Sequence, residues 1–137
     1  MLENDYIMRM ILLFVQFLRQ ALAQKHKDPR QAASDLEQSI SEAVNIDHGL
    51  LFSLTPESMV TMLQLGSFDE VLAEYLIRAM AIDAEYLQLA GESSLTELRW
   101  SQINGLIAAF NLNLSKEELC LEAIEDFVTL HEDITDE

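Results

Sequence analysis

The sequence is short of the residues that punctuate or staple a chain. Its 137 residues include four glycines, two prolines and one cysteine. A lone thiol, Cys120, has no partner for an internal disulfide, which fits a reducing compartment. The glycines, Gly49, Gly66, Gly91 and Gly105, stand far apart, so no glycine-rich loop can cradle a phosphate. The histidines His26, His48 and His131 have no second ligand at metal-binding spacing, and neither C-x-x-C nor H-E-x-x-H occurs. No metal or cofactor is expected. Strand signals are missing as well, because no stretch keeps a period-2 alternation and the one Asn-Gly pair, Asn104-Gly105, sits inside a helical pattern. Basic residues are the last scarcity. Eight Lys and Arg stand against 24 Asp and Glu, a net charge of −16, which repels phosphate backbones and anionic head groups. Neither nucleic acid nor a membrane surface is an expected partner.

What the chain has is apolar, helix-forming sequence. Half of its residues are hydrophobic, and a chain of this size buries roughly 68% of the surface it exposes unfolded. Scarce glycine and proline, with abundant Leu, Ala, Glu and Gln, favour helix over sheet. The charge is uneven: residues 1–30 hold five bases against three acids, and residues 31–137 hold three bases against 21 acids. Such a dipolar layout could steer self-association or a basic partner.

Start and stop signals divide the chain into six helices. The first is expected over 5–23 with Asn4 as its cap. Asp28 and Pro29 open the second, which runs to about Ala43 with Ala32, Ala33, Leu36 and Ile40 along one face. A single further turn of helix can follow Asp47. Thr55-Pro56 opens the third, and Gly66 is expected to close it in the left-handed conformation. S-x-x-E pairs, Ser67/Glu70, Ser94/Glu97 and Ser115/Glu118, read as capping boxes for helices over 68–89, to about Phe110, and to about Leu130. The expected fold is all-α: about six helices in antiparallel hairpins, tetratricopeptide-like or an irregular bundle, forming one domain over 1–130 with an acidic, frayed tail over 131–137.

The opening stretch MLENDYIMRMILLFVQFLRQ is the unusual one. On a helical wheel Arg9, Gln16, Arg19 and Gln20 fall largely into one narrow stripe, and nearly everything else is apolar. A surface helix needs only about a third of its circumference apolar. The helix can be the wrapped centre of the domain, it can bury a second face against another copy, or it can lie in a membrane interface. Its uninterrupted apolar run, 10–15, is shorter than the ~20 residues that span a bilayer. Acids ahead of the first base also argue against a secretory signal, so a cytoplasmic location is expected. The candidate self-association face is Tyr6, Met10, Leu13, Phe14 and Phe17, and a homodimer is the expected assembly.

No catalytic constellation stands out, and an enzyme is not expected. Carboxylates pair at helical spacing (Glu70/Glu74, Glu118/Glu122) as a solvated acidic face would. Cys120, among Glu117, Glu118 and Glu122, reads as a buried thiol in a helix interior, since a nucleophile wants a positive neighbourhood. Gly105 in mid-helix costs ~1 kcal/mol relative to Ala and reads as a close helix crossing. If a pocket between helices exists, Tyr75, Arg78, Trp100 and Asn104 are the candidates to line it, and the chain would then be a small-ligand binder or enzyme. Over 63–83, Gly66, Phe68, Tyr75, Ala79 and Asp83 give a stretch that resembles the middle of a tetratricopeptide repeat, although Arg78 stands where that pattern wants a small residue and no second copy follows 34 residues on. The openings MLENDYIMRMI and TPESMVTMLQLG, with a DPxxA-type second helix, resemble a family of small acidic bacterial helical proteins of unknown function, a likeness that implies no activity. The reading that follows is a non-catalytic helical protein-interaction module.

Overall fold

Capping chemistry sets most of the boundaries in the computed structural model, which describes the backbone of residues 2–66 and 68–135 and the side chains of 5–47, 49–66 and 68–130. Among the described residues there are seven α-helices, one 3-10 turn and no strand. They are α1 (Leu2–Ala23), α2 (Pro29–Val44), α3 (His48–Leu51), α4 (Pro56–Leu65), α5 (Glu70–Leu89), α6 (Ser93–Ala109) and α7 (Leu121–Thr135), with the 3-10 turn at Glu117–Leu119. Asp28 caps α2 by accepting from the Arg30 amide, and Thr55 caps α4 by accepting from that of Ser58. Asp47 does the same for the short α3. Each satisfies an amide that the first turn leaves without a partner.

Several expected boundaries move. Asn4 lies inside α1, which begins at Leu2. Gly66 closes α4 with φ of −91°, outside the left-handed region. Gly91, Asn45 and Asn111 carry the positive φ angles instead, and Asn tolerates that conformation because its amide bonds locally. Ser67 lies outside the described residues, and α5 is capped by Asp69, whose carboxylate accepts from Leu72. The Ser94/Glu97 box does not form, because α6 already begins at Ser93. Ser115 and Glu118 do exchange bonds, yet they open the 3-10 turn, and α7 follows only from Leu121. Its backbone stays helical through Thr135, which includes most of the stretch read as a tail.

The centre of the bundle is α5, which corrects the expectation that the first helix could fill that place. Fourteen of its 20 residues are buried, and it packs against α1, α2, α6 and α7. Alanines at 73, 79, 81 and 84 keep it slim enough for neighbours on several sides. Polar residues do not spoil the burial, since Asp83 is paired and Arg78 stacks on Phe127. α1 covers one side of α5 with Met10, Phe14, Val15, Leu18, Ala21 and Leu22. Its C-terminal end is tied down where the Tyr86 hydroxyl donates to the Ala21 carbonyl at 2.6 Å. Burial, with help from Glu125 and Glu85, pushes that phenol up to about 12, so it remains a donor at any ordinary pH.

α4 packs on α6 and leaves little contact with α5, its neighbour in sequence. Gly105 makes that crossing possible. A Cβ there would sit 2.9 Å from the Cβ of Pro56, well inside contact distance, and Pro56 cannot rotate away. Replacing Gly105 with Ala should therefore lower stability despite the better helix former. Overpacking costs about 1–3 kcal/mol against a helix gain of about 1, so urea unfolding should show a net loss of about 1 kcal/mol. Asn104→Ala, at the exposed neighbouring position, should cost less.

Candidate functional site

The most concentrated polar chemistry lies inside the bundle. Arg99 of α6 is 2% exposed and its guanidinium is bonded on every side. Nε donates to Oδ2 of Asp83 at 2.7 Å and Nη2 to Oε2 of Glu37 at 3.0 Å. Nη1 donates to the Phe52 carbonyl at 3.1 Å and to Oε1 of Gln102 at 2.6 Å. The Gln102 amide then donates to the carbonyls of Phe52 and Leu54, and the Phe52 ring lies under the guanidinium, 4.5 Å from its centre. One cation thus joins α2, α5, α6 and the connection between α3 and α4. Asp83 is fully buried. Desolvation and the neighbouring Glu37 carboxyl hold its pKa well above the usual carboxylate value, against the opposing pull of Arg99.

Of Glu37, Asp83, Arg99 and Gln102, only Asp83 figures in a sequence pattern, the repeat-like stretch over 63–83, and none reads there as a site residue. A signal exists all the same: Asp83 and Arg99 are each eight residues from Gly91. An antiparallel hairpin turning at Gly91 brings them face to face.

The four expected pocket residues divide into two pairs. Tyr75 and Arg78 are buried against α7, where the Phe127 ring lies 3.7 Å from the Arg78 guanidinium and 5.5 Å from the Tyr75 ring. Burial lowers the pKa of Arg78 and raises that of Tyr75. Trp100 and Asn104 do share a cleft of about 100 Å³ with Ile107, Leu114, Lys116 and Leu119. Lys116 caps the indole at 5.2 Å. Pockets for drug-sized ligands run to about 300–1,000 Å³, so this cleft suits a smaller group.

The surface of α1 is the other candidate. Of the expected face, Met10 and Phe14 are turned into the core, because they share the stripe that meets α5. Tyr6 and Leu13 are each 38% exposed, and Phe17 is half-buried at the groove with α2. Met8 and Leu12, not anticipated, are exposed as well. On the wheel these side chains flank the polar stripe of Arg9, Gln16 and Gln20 on both sides. The stretch Asp5–Ala23, with mean hydropathy 1.3, is long and apolar enough to cross a membrane, although a third of it is buried in the bundle. Core helices of soluble proteins share that property.

Part of the charge asymmetry is spent within the chain, since Lys25 pairs with Glu125 and Arg30 with Glu92. Cys120 is exposed at the end of the 3-10 turn, so the expectation of a buried thiol is corrected; the helix that would have buried it begins one residue later. Among the described residues no three metal-ligating side chains come together. The chain matches no protein-family model, no curated protein and no solved structure.

Removing Arg99 strands two carboxyls in the interior. Breaking a buried pair from one side costs about 3–5 kcal/mol, so Arg99→Ala should lose a large part of the stability of a domain this size in guanidinium unfolding. Arg99→Lys should recover only a minority of it, because an ammonium cannot serve four acceptors spread around a plane.

Proposed function

We propose that the protein is a non-catalytic helical interaction module that self-associates through α1. The observation that carries this reading is the incomplete cover on that helix: Tyr6, Met8, Leu12 and Leu13 are between 38 and 51% exposed on an element whose other side is core. Apolar side chains grouped on one helix gain from burial at roughly 25 cal/mol per Å², and a second copy presents the same face to the first. The polar stripe of Arg9, Gln16 and Gln20 gives such an interface a register, since those groups must meet partners or water. The size of the Trp100 cleft and the internal use of the polar cluster also favour binding over catalysis. The alternative, a binder of small ligands, draws support from the cleft of Trp100, Asn104 and Lys116. Its ligand would be small, with an aromatic or apolar part to lie against the indole.

Light scattering coupled to size exclusion tests the main reading. The expected molar mass is about twice 15.6 kDa, unchanged between low and high salt because the contact is apolar. Tyr6→Asp combined with Leu13→Asp should return it to 15.6 kDa with the helical circular dichroism intact. A wild-type monomer at both salts rejects the reading.

A further inference from the structure

We propose that the cleft beside Trp100 binds a small carboxylate with a short apolar body, the carboxylate held by Lys116 and Asn104 and the body laid against the indole. The inference rests on the small-ligand reading of this cleft and is independent of self-association through α1.

Local sequence builds the cleft. Trp100, Asn104 and Ile107 stand at i, i+4 and i+7, so they share one face of α6. That helix ends in a Schellman turn. Asn111 takes a φ of 55°, and the amides of Asn111 and Leu112 donate back to the carbonyls of Ala108 and Ile107, at 3.3 Å and 2.9 Å. The residues that follow bring Leu114 and Lys116 to the same face, where Leu119 of the 3-10 turn joins them. Four apolar side chains and two polar ones thus line about 100 Å³.

Charge decides the class of ligand. Lys116 is one of three bases beyond residue 30. The other two are engaged, Arg99 in the buried hub and Arg78 between Glu74 and the Phe127 ring. Lys116 is exposed, and among the described residues no carboxylate lies within ion-pair distance of it. Its ammonium sits over the indole, 5.2 Å from the ring centre. Glu118, two residues on, spends Oε1 on the amide and hydroxyl of Ser115. An ammonium carries three donors, and an indole offers no oxygen to accept them. Asn104 is exposed at the same cleft, and its side-chain amide adds two more donors.

A cationic ligand would meet Lys116 as a like charge, and a neutral one would leave the ammonium to water. A carboxylate takes charge-assisted bonds from the ammonium and the amide, while its alkyl part displaces water from the apolar walls. The net charge of −16 repels anions at long range. At about 0.15 M salt that repulsion is screened beyond about 8 Å, so contact with Lys116 decides.

Trp100 is the single tryptophan in the chain, so its fluorescence reports on this cleft alone. The test titrates the protein at neutral pH and constant ionic strength with isovalerate, and separately with its neutral amide, isovaleramide. Isovalerate should change the emission saturably. Isovaleramide should bind about tenfold more weakly, and Lys116→Met should weaken isovalerate by about tenfold, the worth of one charge-assisted bond. The variant, altered at an exposed side chain, should keep the wild-type circular dichroism and its affinity for isovaleramide. Equal affinity for the two probes, or isovalerate binding that Lys116→Met leaves unchanged, overturns the carboxylate assignment while the small-ligand reading stands. No saturable response to either probe overturns both.

Discussion

A guanidinium cannot be buried cheaply, and the placement of Arg99 constrains nearly every other element. Its five N–H groups point outward in a plane and each needs an acceptor. The bundle supplies acceptors from α2, α5, α6 and the connection after α3. The carbonyl of Phe52 takes two donors, which holds that connection against the core. Well-packed hydrophobic residues could match such a cluster in stability. A slip of one helix would leave a charge in this cluster without its partner.

The contrast between α1 and α5 shows what a one-dimensional pattern can and cannot reveal. α1 looks central because its side chains are apolar almost all round, yet it lies on the flank with Tyr6, Met8, Leu12 and Leu13 in solvent. α5 carries Glu70, Glu74, Arg78, Asp83 and Glu85, a set that reads as amphipathic, yet it is the buried axis. Periodicity assumes that polar means exposed. Arg78 and Asp83 break that assumption because Phe127, Arg99 and Glu37 take the place of water. Those partners are 16 to 49 residues away in sequence, beyond any local window.

Local chemistry was read better. Asp28-Pro29, Asp47 and Thr55-Pro56 open helices as expected, since a cap needs only its own next turn. Gly105 was legible as a close crossing because an unfavourable residue in mid-helix demands a reason, and Pro56 is that reason. Ser94 misled because an S-x-x-E spacing states an opportunity, not a commitment: α6 starts from the turn at Gly91 and needs no hydroxyl. Of the expected α1 face, Leu13 and Tyr6 lie outside and Met10 and Phe14 inside. A wheel gives the angles of a helix but not which side its neighbour will take.

The exposed position of Cys120 has a practical consequence. It is the single thiol in the chain and it sits at the joint between the 3-10 turn and α7. A maleimide dye or spin label would therefore attach at one known place without any substitution. Two labelled copies would report the distance between their α7 joints, and one copy would report the local motion of that joint, so the natural chain is ready for spectroscopic ruler measurements.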